Sequence, residues 1–233
     1  MVKEKSPQCA HCPTRACENR GAAAGAELET LKKAPAFCPM KLMPQIYPEV
    51  LEEYDRPDVR EFTRRASVQE FQCYERMPDG LRAKLTRVEE TIQFARKCGY
   101  KRLGLAFCGG LFHEAGLLTE ILENNGFEVV SVQCKNGAVP KERLGLKPEE
   151  KIAGPEMWET MCNPIAQAKI LNQSKVDMAI MLGLCIGHDT LFIKYCKVPL
   201  TVLAVKDRVL GHNPLAALYA GNTYYDRLKH KLD

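Results

Sequence analysis

Three cysteines fall within the stretch CAHCPTRAC, Cys9 to Cys17, close to the start of the sequence. The spacing C-x2-C-x4-C lets a tight turn aim two thiolates at one point while its backbone N–H groups bond to sulfur. A fourth thiol arrives in the pair Cys38-Pro39, and four sulfurs complete a tetrahedral donor set. Zinc sites usually pair two C-x2-C knuckles, whereas a remote Cys-Pro recurs as the last ligand of an iron–sulfur cluster. Cys9, Cys12, Cys17 and Cys38 are therefore expected to hold a metal, as a 4Fe-4S cluster ahead of zinc. His11, inside the turn, is read as a solvent-facing bystander.

A second set of thiols is scattered along the chain. Cys108 closes the apolar run LAFC, Cys134 closes SVQC, and Cys185 closes VDMAIMLGLC, while Cys162 immediately precedes NPIAQAKI. If those runs are neighbouring parallel strands, all four sulfurs belong to the functional edge formed by C-terminal strand ends and helix N-termini. Gly109, Gly110, Gly183 and Gly187 beside them allow close backbone approach. Cys108, Cys134, Cys162 and Cys185 are thus expected to bind a cofactor, a second cluster or metal, or to act as reactive thiols.

His188 and His212 are expected at the same edge, where an imidazole could move protons or ligate, and they are the candidate catalytic residues. His113 stands equally well inside or outside that crevice. Asp189 and Asn213 are read as helix caps. Cys73, Cys98 and Cys196 follow the apolar stripes of helices and are read as packing residues.

The elements that must position these side chains can be read from periodicity. From Lys101 onward, short apolar runs alternate with amphipathic segments: RLGLAFC, LFHEAGLLTEILENNG, FEVVSVQC, NPIAQAKILNQS, VDMAIMLGLC, DTLFIKYC and PLTVLAVKD. Such alternation implies right-handed βαβ crossovers. The expected fold is α/β, with a four-stranded mostly parallel Rossmann-like or flavodoxin-like sheet flanked by helices.

Upstream of the sheet, residues 45–98 read as a helical region packing on the core, through PEVLEEY, PDVREFTRRASVQEFQCYER and LRAKLTRVEETIQFARKCG. Residues 1–44 read as a Cys-rich metal-binding segment in which GAAAGAELETLKK carries a short helix. Too short to bury much surface alone, that segment needs a staple, and a metal supplies one. Residues 99–233 form the α/β domain.

Composition narrows the function classes. The 233 residues include 11 cysteines, an odd number. The opening MVKEKSPQ lacks the apolar core of a secretory signal, so the expected compartment is the reducing cytoplasm, where clustered thiols mean metal or redox chemistry more often than disulfides. A net charge of +4 is too mild to argue for nucleic acid, and no aromatic platform accompanies the basic spots. No apolar run is long enough to suggest a membrane partner. Nucleotide binding is also disfavoured, because CGGLFHEAG lacks both GxGxxG and the Lys and Ser/Thr of a P-loop.

Taken together, C-x2-C-x4-C, Cys38-Pro39, LAFCGGL, MCNPIAQA, GLCIGHD and GHNP resemble a family of uncharacterised cysteine-rich prokaryotic proteins described only as metal-binding. The resemblance spans nearly the whole chain and implies metal binding without an assigned reaction. The leading expectation is an iron–sulfur redox protein or enzyme with one or two 4Fe-4S clusters, an electron donor or acceptor protein as partner, and a substrate of unassigned class. The alternative is a zinc-stapled protein that binds or delivers metal without catalysis.

Overall fold

The computed structural model describes residues 6–18 and 30–231. The helix expected over the Ala/Gly stretch falls largely on residues 19–29, outside the described residues. The chain divides into two compact units, Met1–Arg64 and Arg65–Asp233.

In the first unit, two 3-10 turns, Cys9–His11 and Ala16–Glu18, carry the N-terminal cysteines. Short helices follow as α1 (Thr30–Lys33), α2 (Pro39–Leu42) and α3 (Ile46–Asp55), and the long α4 (Pro57–Gln72) begins here. Cys38 is the residue before α2, and Pro39 opens the helix where no backbone N–H is required. Helix α3 buries none of its residues.

The second unit opens with the end of α4 and a two-stranded antiparallel hairpin, β1 (Tyr74–Met77) and β2 (Gly80–Ala83). The helical reading of 74–83 does not hold: Pro78-Asp79-Gly80 makes a turn, with Gly80 at φ 140°, a backbone state that ends a helix. Helix α5 (Arg87–Lys97) then starts on a capping box in which Thr86 and Glu89 satisfy each other's backbone N–H groups.

The remaining elements are β3 (Arg102–Phe107), α6 (Phe112–Asn124), β4 (Glu128–Gln133), α7 (Pro164–Gln173), β5 (Met178–Leu182), α8 (His188–Tyr195), β6 (Leu200–Ala204) and α9 (Leu215–Tyr219). The sheet is α/β as expected: four parallel strands in the order β4-β3-β5-β6, flanked by helices.

Alternation along the strands divides the core between the two faces of the sheet. Leu103, Leu105 and Phe107 of β3 and Met178, Ile180 and Leu182 of β5 pack with Ile92 and Ala95 of α5 and with Leu118 and Leu122 of α6. On the opposite face Ala106, Ala179 and Met181 meet Ala168 and Leu171 of α7 and Phe192 of α8. Strands buried on both faces explain the continuous apolar runs. Gly104 belongs to this arrangement, since a Cβ there would lie 2.9 Å from Leu171 Cδ1. Among the described residues no helix is long and apolar enough to cross a membrane.

Candidate functional site: two cysteine sets

The first unit holds the outer cysteines. Cys12 N–H donates to the Cys9 carbonyl at 3.0 Å, closing the turn between them. Arg15 N–H donates to Cys12 Sγ at 3.3 Å, and Arg15 takes up the left-handed φ of 42° needed to carry the chain round. The Thr14 hydroxyl and backbone N–H groups hold the Cys12 thiol below its ordinary pKa, because each donor favours the thiolate. Cys9, Cys12, Cys17 and Cys38 all line one cavity of about 390 Å³, whose wall includes Phe37, Met40 and Tyr47. His11 is exposed and is not part of that wall. Among the described residues no group of three or more His, Cys, Asp or Glu side chains is already arranged to hold a metal ion.

The second unit carries the inner cysteines at the C-terminal edge of the sheet. β3 ends at Phe107 and β4 at Gln133, so Cys108 and Cys134 are the first residues beyond their strands. Each is still tied to the sheet edge, Cys108 N–H to the Leu182 carbonyl at 3.1 Å and Cys134 N–H to the Phe107 carbonyl at 2.9 Å. Cys162 arrives from the long connection after β4. Its neighbour Asn163 donates its N–H to the Cys134 carbonyl at 2.6 Å, while the Asn163 side chain caps α7 through Ala166 N–H.

Three of the inner thiols form a chain of contacts. Cys162 Sγ and Cys134 Sγ are 3.9 Å apart, Cys108 and Cys134 share a thiol hydrogen bond, and Gly109 N–H donates to Cys134 Sγ at 3.4 Å. Their titration is that of a coupled group. The hydrogen bond to Cys134, with burial, pushes the Cys108 thiol up to about 12. The hydrogen bond shared with Cys134, helped by the charge of Lys135, brings Cys162 down to about 7 despite burial and the neighbouring sulfurs. At Cys134 the bond with Cys108 works downward, but the bond with Cys162 and burial outweigh it and raise the thiol.

Cys185 is held differently. It stands past the end of β5, and Arg208 Nη2 donates to its sulfur at 3.0 Å. Its influence on Cys162 is electrostatic. His188 is the first residue of α8, with its N–H on the Cys185 carbonyl at 3.0 Å. His212, at φ 66°, accepts the Asp207 N–H on Nδ1 at 3.1 Å. Neither imidazole hydrogen-bonds to a thiol among the described residues. His113 is exposed on α6 against the Phe112 ring. Cys73 donates to the Gln69 carbonyl at 3.2 Å, Cys98 terminates α5, and Cys196 packs beside the second core cluster, where burial raises its pKa.

Two contributors to the inner site escape sequence reasoning. Gln167, fully buried on α7, donates Nε2 to the Phe107 carbonyl at 3.1 Å and the Val132 carbonyl at 2.7 Å, clamping the ends of β3 and β4 that carry Cys108 and Cys134. A glutamine on the sheet-facing side of NPIAQAKI is the only signal the sequence offers for it. Lys206, just beyond β6, extends toward the glycines that follow β3 and β5; nothing in KDR distinguishes it from a solvated lysine.

A family described as a protein of unknown function (DUF1847) matches residues 38–203. That range takes in Cys38 and the four inner cysteines and excludes Cys9, Cys12 and Cys17. Uncharacterized protein MJ0455 of Methanocaldococcus jannaschii is 51% identical over 136 residues, which is 58% of this chain and 68% of that one.

Proposed function

The chain belongs to the DUF1847 family of proteins of unknown function, and we propose that it is an iron–sulfur redox protein. Cys9, Cys12, Cys17 and Cys38 bind a 4Fe-4S cluster, and Cys108, Cys134, Cys162 and Cys185 form a second thiol site at the sheet edge. The observation that carries this reading is the single cavity of about 390 Å³ onto which all four outer cysteines open. A water molecule takes up about 30 Å³ of liquid, so the space suits a polyatomic group better than one ion. A lone zinc needs its four sulfurs closed to about 2.3 Å around it.

The chemistry of the donors fits the same group. Thiolates are the ligands of iron–sulfur clusters, and N–H donors to those sulfurs are among the determinants of cluster potential. Arg15 N–H already serves Cys12 in that way. The wall residues Phe37, Met40 and Tyr47 give the cavity apolar sides. When bound, the cluster supplies one-electron transfer.

The test is iron, zinc and acid-labile sulfide per chain on protein purified without oxygen, with absorption spectra before and after dithionite. About four irons with matching sulfide, bleached on reduction and lost in Cys12→Ser, are expected for the outer site. A further iron complement that disappears in Cys108→Ala/Cys185→Ala would place a second cluster on the inner thiols. Zinc near one per chain, without sulfide or colour, would overturn the cluster and leave a metal-stapled binding protein.

A further inference from the structure

The edge that carries the inner thiols also carries cations without anions to meet them. In the order β4-β3-β5-β6, the crossover from β3 runs to one side of the sheet and the crossover from β5 to the other. The switch point therefore lies between the ends of β3 and β5, where open α/β sheets bind their ligands. Lys206 stands over it. Its Nζ lies 3.6 Å from the place a Cβ on Gly110 would occupy and 3.9 Å from the corresponding place at Gly183. Cys108 Sγ lies 3.9 Å from the same Gly110 position, so ammonium and sulfur flank one point.

Lys206 is a half-buried residue, and its Nζ makes no hydrogen bond or ion pair among the described residues. Arg208 Nη2 rests on Cys185 Sγ and has no carboxylate partner among them either. The carboxylates of the neighbouring segments are engaged elsewhere. Asp207 Oδ1 accepts the N–H groups of Val209 and Leu210 at 3.0 and 2.8 Å, and Asp189 Oδ1 accepts that of Thr190 at 2.7 Å. Two cations that form no ion pair at one sheet edge leave their charge-assisted hydrogen-bonding capacity open to an anion at the switch point.

We propose that this crevice binds a small oxyanion, held by Lys206 Nζ and the Arg208 guanidinium and thereby placed against the sulfurs of Cys108 and Cys185. Its role as a substrate rests on the redox reading above; its binding does not. Guanidinium and ammonium groups together form charge-assisted hydrogen bonds to such a ligand. Gly110 keeps the space between the Lys206 ammonium and the Cys108 sulfur free of a side chain.

The experiment is equilibrium dialysis of anaerobically purified protein of known metal content with thiosulfate, phosphate and acetate. It compares the unaltered chain with Lys206→Met, Arg208→Met and Lys197→Met, the last removing an equal charge in the connection between α8 and β6. One anion per chain is expected, bound about tenfold or more weakly by the first two variants and unchanged in the third. The tightest of the three anions identifies the sulfur, phosphorus or carboxylate class. Equal affinity in the unaltered chain and Lys206→Met, or an equal loss in Lys197→Met, would overturn the proposal. Circular dichroism checks folding, and exposed Arg208 provides a second variant should Lys206→Met not fold. Absence of iron with intact anion binding would sink only the redox reading, whereas full iron with no anion binding would sink only this inference.

Discussion

Cys134 Sγ and Cys162 Sγ lie 3.9 Å apart although 28 positions separate the residues in the chain. The approach depends on the Asn163 N–H bond to the Cys134 carbonyl, which brings the end of the long connection back to the end of β4. Because Cys134 is buried and Cys162 half-exposed, the two thiols differ in access as well as in acidity.

In metal-free protein, Cys162 is therefore expected to be alkylated ahead of Cys108 and Cys134. Its rate should rise through a midpoint of about 7, since only the thiolate reacts. Cys134→Ala removes the thiol hydrogen bond that lowers Cys162 and should move that midpoint upward, toward the ordinary thiol value. Peptide mass spectrometry of iodoacetamide-treated samples across pH reads both effects; an unshifted midpoint in the variant would refute the assigned hydrogen bond.

Gln167→Leu should destabilise the second unit by about 1–3 kcal/mol. It keeps the volume but withdraws the donor from the Phe107 and Val132 carbonyls. Phe107 retains the Cys134 N–H, and the change also removes a buried Oε1 that has no partner among the described residues, so the lower half of the range is expected. Urea midpoints at constant slope measure it.

Gly183→Ala should cost more, about 2–4 kcal/mol, from a left-handed backbone and from overpacking. The added Cβ would stand 2.1 Å from Leu111 Cδ1 at a φ of 66°. Combining it with Leu111→Ala should be less destabilising than the two single losses summed, which a double-mutant cycle reads directly.

Glu159 gives the second unit a pH dependence. It is buried, accepts from Lys141 Nζ at 2.8 Å and from Ala153 N–H at 3.2 Å, and has Lys135 at 3.8 Å. The hydrogen bond from Lys141 leads the causes that hold its carboxyl below the ordinary value of 4.5. A depressed folded-state value means that the contribution is complete above the unfolded pKa and is lost as pH falls through the folded one. Glu159→Gln should flatten stability against pH in that acidic window while lowering it at neutral pH. Denaturation midpoints from pH 3 to 7, compared for both proteins, would contradict the assignment if the curves stayed parallel.

Much of the architecture was legible from local pattern. Apolar runs of strand length separated by amphipathic helices led to the four-stranded parallel sheet, because burial on both faces forces continuous apolar strands. Cys108 and Cys134 fell at strand ends for the same reason, since the runs stop where the sheet meets its crevice. The hairpin at Tyr74–Ala83 was missed: Pro78-Asp79-Gly80 interrupts a segment whose apolar residues otherwise repeat at helical spacing.

Local pattern sufficed for the strands and helices from Arg102 onward, for the sheet type and for the edge on which the inner cysteines stand, because each depends on residues near one another in the chain. Tertiary packing alone brings Cys108, Cys134 and Cys162 into contact while Cys185 pairs with Arg208. It also decided that Gln167 clamps two strand ends and that Lys206 reaches the switch point. These relations depend on strand order and on where the long connection returns, and nearest-neighbour periodicity carries no record of either.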